Sequence, residues 1–208
     1  MAPDAPPRGP TRRALLAGGV AALALAACKS DKPWNAVDVN GTLPDLAFTL
    51  TRAEDGKTVT AADYRGKIVM LFFGYTFCPD VCPLTMANLT EVLHRMGKAA
   101  DAVQVLFVTV DPNRDTLPVL TAYAASFDPR VAGLRGSDNQ LAVLARRYRV
   151  TYSVLPPQGS RPYTVVHGPS IYVFDRSGAA RLMVPKFYDA KADIAGVTAD
   201  MERLVAEG

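Results

Sequence analysis

The sequence predicts an α/β domain in which helices flank a central mixed β-sheet. Residues 68–73 form a continuous apolar run, which is typical of a strand buried on both faces. A second strand-like run follows at residues 103–110, and segments with helix signals lie between and after the two runs. The chain has 208 residues, of which 49% are hydrophobic and 21% are charged, and this is the composition of a globular protein.

The other elements can be placed in order along the chain. An N-terminal β-hairpin is predicted over residues 46–50 and 57–60, because Glu54-Asp55-Gly56 is a turn sequence. A helix is predicted from Pro83, which suits a first helical turn, to Met96. Asp115 or Thr116 is predicted to cap a helix that runs through Phe127, and Ser137 opens the next helix by a capping box with Gln140. The remaining predicted elements are short strands over 150–154 and 163–166, a hairpin over 171–174 and 179–184, and a closing helix over 189–207. This order is that of the thioredoxin fold, in which reactive cysteines lie where the first central strand gives way to its helix.

The charge balance argues against a nucleic-acid partner. Lys and Arg total 23 and Asp and Glu total 20, so the formal net charge is only +3. Proteins that bind nucleic acid carry a basic patch or stripe, and this sequence has none. No nucleic-acid binding is therefore expected.

The N-terminal segment has the features of an export signal. Arg12 and Arg13 precede an apolar run over residues 15–27, which is shorter than the roughly 20 residues of a bilayer-spanning helix. The paired arginines resemble those of the twin-arginine signal. Residues 25–28, Leu-Ala-Ala-Cys, resemble a bacterial lipobox, in which the peptide is cut before the cysteine and the cysteine is acylated. The alternative is a short uncleaved anchor helix.

These features divide the chain into three predicted segments. Residues 1–27 would be a signal peptide, residues 28–42 a polar tether, and residues 43–208 the folded domain. Acyl chains on Cys28 would attach the mature protein to the membrane, because each buried methylene contributes about 0.8 kcal/mol. The expected location is the periplasmic face of the inner membrane in a bacterial cell envelope.

Cys78 and Cys82 are the cysteines of the predicted domain, and they follow the apolar run at residues 68–73 directly. The start of a helix stabilises negative charge and so favours the reactive thiolate form. Thioredoxins have two residues between their cysteines. With three, both sulfurs could face one metal ion and still close a disulfide. The pair alone leaves open a metal site, a redox dithiol and a structural disulfide of an oxidising compartment.

The two histidines differ in their placement. His94 falls late in the predicted first helix and is expected on the surface. His167 lies between the apolar residues 163–166 and Gly168-Pro169, in a turn that a thioredoxin-like sheet would place beside the cysteines. Two thiolates and one imidazole form a soft site with few ligands, which favours copper over magnesium, calcium or manganese. Zinc could also use such a site, but usually with a fourth ligand.

Three motifs carry a resemblance to a known family. Residues 74–83 read Gly-Tyr-Thr-Phe-Cys-Pro-Asp-Val-Cys-Pro, and residues 110–116 read Val-Asp-Pro-Asn-Arg-Asp-Thr. With His167, they resemble the copper-binding loop, the Asp-Pro-x-Arg-Asp-Thr segment and the copper-binding histidine of the Sco/SenC family, thioredoxin-like proteins that serve cytochrome c oxidase assembly. The resemblance covers residues 43–206. Val166 departs from the pattern, because many members carry Asp there.

The resemblance implies that Cys78, Cys82 and His167 ligate Cu(I) and Cu(II). It implies a metallochaperone, a binding and transfer protein rather than an enzyme, that supplies the dinuclear copper site of cytochrome c oxidase subunit II. An upstream periplasmic protein would donate the copper. Asp80 and Asp111, which lie in the two motifs, are candidates for supporting positions around the ligands.

The alternative function uses the same thiols. A thiol:disulfide oxidoreductase would reduce the copper-site cysteines of the oxidase through Cys78 and Cys82, which form a disulfide when oxidised. This function would not need His167. Pro169 and the strand after it also resemble the cis-proline strand of thioredoxins, which faces the dithiol.

Overall fold

A central β-sheet organises the folded part of the chain. The computed structural model describes residues 32–160 and 162–208, and Trp34–Gly208 forms one compact unit. The strands found among these residues are β1 (Val37–Asp38), β2 (Thr49–Arg52), β3 (Thr58–Thr60), β4 (Ile68–Gly74), β5 (Val103–Thr109), β6 (Val131–Arg135), β7 (Tyr152–Leu155), β8 (Thr164–His167), β9 (Ile171–Phe174) and β10 (Ala180–Val184). The α-helices are α1 (Val81–Met96), α2 (Leu117–Ala125), α3 (Asp138–Arg147) and α4 (Ile194–Glu207), and short 3₁₀ helices span Ala61–Tyr64 and Gly97–Ala102.

The main sheet has the strand order β1-β10-β9-β4-β5-β6-β2-β3 in the described part of the chain. Strands β4, β5 and β6 are parallel, and β9 is antiparallel to β4. Every residue of β4 is buried, as expected for a central strand in a sheet whose faces are covered. Gly74 pairs with Thr109, so the chain leaves β4 and β5 at neighbouring points on one edge of the sheet. The segments that follow these two strands therefore lie side by side.

Several predicted elements are confirmed. The mixed sheet with flanking helices is present, and β2 and β3 form the N-terminal hairpin. Helix α1 begins at Val81 rather than at Pro83, which lies in its first turn, and ends as predicted at Met96. Helix α3 has the predicted capping box, in which Ser137 and Gln140 bind each other's backbone amides.

Helix α4, the C-terminal end of helix α2 and strand β6 are among the elements that differ from the sequence prediction. Helix α4 begins at Ile194 rather than at residue 189, because the side chain of Asp193 accepts a hydrogen bond from the Gly196 amide (2.8 Å) and caps it there. Helix α2 begins directly after Thr116, one of the two residues predicted to cap it, and ends at Ala125 rather than at Phe127. Strand β6 was not predicted, since Val-Ala-Gly-Leu-Arg is too short to show a clear pattern; it forms because β5 and β2 pair with it on both sides.

Residues 34–38, here called the N-terminal strap, pack against the domain, although the sequence assigns them to the tether. Strand β1 within the strap pairs with β10. Asn35 and Ala36 donate three hydrogen bonds of 2.8–3.1 Å to the carboxylate of Asp200, which is only 3% exposed. The Trp34 ring lies 3.7 Å from the guanidinium carbon of Arg203. The ordered contacts of the domain therefore begin before the predicted boundary at residue 43.

Two further expectations concern the backbone and the membrane. No peptide bond among the described residues is cis, so the resemblance of Pro169 to a cis-proline does not hold. In the absence of other contacts, the trans form of the bond before a proline is more stable than the cis form by about 0.5–1 kcal/mol.

In the part of the chain that the structure describes, no helix is both long enough and apolar enough to cross a bilayer. The predicted signal peptide and Cys28 lie outside the described residues.

Candidate metal centre

The two domain cysteines lie at the junction between the central strand and the first helix. Strand β4 ends at Gly74, and α1 begins at Val81. Cys82, in the first turn of α1, is fully buried, whereas Cys78, in the preceding loop, is half-buried. The Cys82 amide donates to the Cys78 sulfur at 3.4 Å, and both thiols are free. A Cβ atom on Gly74 would lie 2.7 Å from the Phe107 ring and 3.0 Å from the Cys82 sulfur, so glycine lets the sulfur pack against the strand end.

His167 ends strand β8 and brings its ring to the sulfur of Cys82. Its Nε2 atom is 3.2 Å from Cys82 Sγ, and its Nδ1 atom is 3.1 Å from the carbonyl oxygen of Gly168. Because a carbonyl oxygen only accepts, Nδ1 carries the proton of the neutral ring and the lone pair of Nε2 faces the sulfur. The rings of Phe72 and Tyr75 meet the imidazole edge-on at 5.9 and 6.0 Å. The orientation of His167 thus presents a metal-binding atom to the dithiol.

The donor atoms of Cys78, Cys82 and His167 all lie within 4.8 Å of one another. No other group of three or more His, Cys, Asp or Glu side chains in the described residues is this close. The site opens into a cavity of about 400 Å³ lined in part by Tyr188 and Val166. Two sulfur donors and one imidazole nitrogen suit a soft metal ion such as copper.

The two thiols differ in their protonation. Hydrogen bonds from the Cys82 thiol and from backbone amides lower the pKa of Cys78 far below its ordinary value. The pKa of Cys82 is raised by its hydrogen bond to Cys78 and by its burial. In the metal-free protein, Cys78 is therefore the thiolate and Cys82 holds the proton. A metal ion that binds both sulfurs must displace this proton.

The two carboxylates suggested as supporting residues act differently from expectation. The Asp80 side chain is exposed, and it is the backbone amide of this residue, not its carboxylate, that helps to lower the pKa of Cys78. Asp111 is buried, but its hydrogen bonds go to Arg114 and Tyr163 and not to a ligand. His94 is on the surface, as predicted, with 85% of its side chain exposed.

Asp115 is a supporting residue that the sequence analysis missed, since it was considered only as a helix cap. Its fully buried carboxylate accepts hydrogen bonds from the Thr76 amide (3.0 Å), the Thr76 hydroxyl (2.6 Å) and the Thr109 hydroxyl (2.6 Å). It therefore links residues 75–80, here called the cysteine loop, to the end of β5. The signal for this role was an acidic residue just after a buried strand, in the motif at residues 110–116.

The model of the SCO1/SenC family matches residues 41–205. The chain belongs to the SCO1/SenC family. The predicted family membership is thereby confirmed, over nearly the whole of the described domain.

Curated relatives of this SCO1/SenC chain include mitochondrial proteins. The chain is 41% identical to the cattle (Bos taurus) mitochondrial SCO2 homologue over 125 residues, which are 59% of this chain and 47% of the relative. It is 33% identical to the human (Homo sapiens) mitochondrial SCO1 homologue over 133 residues, 63% of this chain and 44% of the relative. The chain thus spans about half the length of the curated relatives it matches.

Solved structures of SCO1/SenC relatives match more completely. Bradyrhizobium japonicum ScoI with copper bound is 38% identical, has a TM-score of 0.68, and the match covers 77% of this chain and 98% of that one. Yeast Sco1 with copper bound is 30% identical, has a TM-score of 0.65, and the match covers 75% and 88%. These similarities confirm the thioredoxin-like α/β class predicted from the sequence.

Proposed function

We propose that the protein is a copper metallochaperone whose cargo is held by Cys78, Cys82 and His167. The observation that carries this proposal is the convergence of two sulfurs and the unprotonated Nε2 within 4.8 Å. The copper-bound structures of relatives at 30% and 38% identity support it. Copper is a cargo here and not a permanent cofactor, because a half-buried ligand beside a cavity leaves one side of the ion open to a partner's ligands.

The three donors suit both oxidation states of copper. Cu(I) is soft and can be held by two thiolates alone, whereas Cu(II) prefers more ligands and nitrogen donors. Loss of His167 should therefore weaken Cu(II) binding far more than Cu(I) binding. A disulfide between Cys78 and Cys82 would exclude Cu(I), because the disulfide consumes both thiolates.

The proposed acceptor is the dinuclear copper site of cytochrome c oxidase subunit II, and an upstream periplasmic protein supplies the copper. Transfer would proceed by exchange of ligands, with a donor atom of the acceptor replacing one sulfur at a time. Cys78 is the sulfur accessible to such an exchange, since Cys82 is fully buried.

A second function, reduction of a disulfide in the oxidase, is supported by the unequal thiols. The Cys78 thiolate would attack the partner's disulfide and expel one of its sulfurs. Cys82 would then attack the mixed disulfide, so that the partner gains two electrons and its dithiol, while Cys78 and Cys82 become a disulfide. This reaction needs neither His167 nor a metal ion.

The two functions are separated by His167→Ala and Cys78→Ser strains, with His94→Ala as the control for an exposed histidine. Copper transfer predicts that oxidase subunit II lacks copper in the first two strains and is loaded normally in the control. In the purified protein, His167→Ala should weaken Cu(II) binding by about 10–100-fold or more. Normal copper loading with His167→Ala, together with failure with Cys78→Ser and no Cu(I) uptake by the purified His167→Ala protein, would instead establish the reductase function.

We also propose that Cys28 carries a lipid that attaches the protein to the periplasmic face of the bacterial inner membrane. The support is the Leu-Ala-Ala-Cys sequence after an apolar run that is too short to span a bilayer. Intact-mass analysis of the membrane fraction should show a mature chain that begins at an acylated Cys28. Cys28→Ser should leave the chain unprocessed or released, and an unmodified Cys28 on the mature chain would contradict the proposal.

A further inference from the structure

We propose that Arg114 is a positioning residue that fixes His167 relative to the two cysteines. This inference rests on the proposed copper ligands and concerns how the imidazole reaches its place. It also assigns a role to Asp111, whose carboxylate does not touch the ligands.

Arg114, Asp111 and Tyr163 form a closed set of contacts, here called the arginine clamp. The Arg114 Nε atom donates to Asp111 Oδ2 at 2.5 Å, and its Nη1 atom donates to the carbonyl oxygen of Tyr163 at 3.0 Å. The Tyr163 hydroxyl donates to the other oxygen of Asp111 at 2.8 Å. The guanidinium carbon also lies 3.6 Å from the centre of the Tyr163 ring. Each member thus contacts the other two.

The clamp matters because Tyr163 leads directly into the strand that carries His167. Strands β7 and β8 pair only with each other and form a two-stranded sheet apart from the main one, within the described residues. This hairpin therefore takes its position from side-chain contacts rather than from the main sheet's hydrogen bonds. The clamp holds β8 where it begins, and the Tyr75 ring contacts the His167 imidazole edge-on where β8 ends.

The same guanidinium also reaches the cysteine loop. It lies 5.1 Å from the ring of Phe77 and 5.6 Å from that of Tyr75, on either side of Thr76, whose amide and hydroxyl bind Asp115. Two consecutive residues therefore have related roles. Asp115 binds the cysteine loop, and Arg114 joins that loop to the hairpin that carries His167. A change at Arg114 should alter the distance between the imidazole and the sulfurs without removing any ligand.

The clamp is partly buried, so its charges interact more strongly than those of a surface ion pair. The Asp111 side chain is 3% exposed and that of Arg114 is 18% exposed, so water screens the pair poorly. The planar guanidinium makes the ion pair, the carbonyl contact and the ring stacking at once, and a lysine ammonium cannot reproduce this geometry. Removal of Arg114 would leave the Asp111 carboxylate buried without its cation. A second, milder variant is therefore needed, and Tyr163→Phe removes only one hydrogen bond.

The test measures Cu(I) affinity by competition and Cu(II) affinity by titration, with the Cu(II) paramagnetic resonance spectrum, on the full-length purified protein. Arg114→Gln should weaken Cu(II) binding by about 10–100-fold and change the spectrum, as losses around a ligand do, while Cu(I) affinity stays unchanged. Tyr163→Phe should cause a smaller loss in the same direction. The matched control is Arg130→Gln, because Arg130 forms a comparable partly buried pair with Asp128 (2.7 Å) and does not contact the site.

A double-mutant cycle with His167→Ala separates positioning from general destabilisation. If Arg114 acts through His167, adding Arg114→Gln to His167→Ala should cause no further loss of Cu(II) affinity. In the metal-free protein, Arg114→Gln should also speed hydrogen exchange at the amides of β8, while amides of β4 stay protected.

Each other outcome overturns a distinct claim. If Arg114→Gln behaves like Arg130→Gln, weakens Cu(I) as much as Cu(II), or adds fully to His167→Ala, the positioning role is wrong. If His167→Ala itself leaves Cu(II) binding unchanged, the proposed ligand set fails, and the positioning role fails with it.

Discussion

The cysteines and the histidine of the metal centre lie in regions of the protein that are stabilised in different ways. Cys78 and Cys82 flank the start of α1, directly after a central strand in which every residue is buried. His167 ends a hairpin that pairs with no strand of the main sheet within the described residues, and most residues of that hairpin are partly or fully exposed. The protein thus joins two thiols fixed in a dense core to an imidazole held by a few side-chain contacts.

This difference suggests how one site could serve two oxidation states. The thiols, which suffice for Cu(I), are supported by the core and by Asp115. The imidazole, which Cu(II) requires, depends on the arginine clamp and on its edge-on contact with Tyr75. Changes in the core should therefore act on folding, and changes in the hairpin should act on the metal ion.

The largest expected effect is on the stability of the core. Leu71→Ala in β4 should lower the free energy of unfolding by about 2–5 kcal/mol, because it leaves a cavity around a fully buried side chain. Val154→Ala in the hairpin, at a side chain that is 59% exposed, should change it by no more than about 0.5 kcal/mol. Urea unfolding of both variants measures the contrast, and similar losses would mean that the hairpin is part of the core after all.

The next effect concerns the two thiols. The pKa of Cys78 is lowered by hydrogen bonds from Cys82 and from backbone amides, so its thiolate persists as the pH falls. The pKa of Cys82 is raised by the hydrogen bond to Cys78 and by burial. In the reduced, metal-free protein, iodoacetamide should therefore modify Cys78 first, at a rate that changes little between about pH 6 and pH 8. An ordinary thiol slows by about tenfold for each pH unit below its pKa.

Mass spectrometry of the alkylated peptides measures this order. In a Cys78→Ser control, the remaining Cys82 should react slowly, because it is buried. Equal rates for the two cysteines in the parent protein, or an ordinary pH dependence for Cys78, would contradict the assignment of the thiolate.

The smallest effect is expected at Val166, where many family members carry an acidic residue. Its side chain is 54% exposed and adjoins His167, so Val166→Asp places a negative charge near the metal ion without disturbing the core. An exposed charge pair contributes about 0–1 kcal/mol, so Cu(II) affinity should rise by no more than about fivefold, and the gain should shrink in high salt. Val154→Asp is the matched control, and an equal gain there would show that only net charge matters.

The sequence predicted the metal-binding residues of the centre better than it predicted the residues that hold them in place. Cys78, Cys82 and His167 were singled out by a spacing, a helix start and a turn between strands, which are local features, and the family resemblance implied that they are copper ligands. Asp111 was expected near the ligands but instead anchors Arg114 and Tyr163. The tyrosine lies 52 residues further along the chain, and no local pattern connects the two.

The same division holds for the fold. The sequence by itself determined the main helices, the buried strands and the N-terminal hairpin, because apolar periodicity, capping residues and turn sequences act within a few residues of each other. Only the tertiary structure decided that β6 forms between β5 and β2, and that the N-terminal strap docks on Asp200. These features depend on partners that are distant in sequence, since a short strand or a polar segment becomes ordered only when the folded domain satisfies its hydrogen bonds.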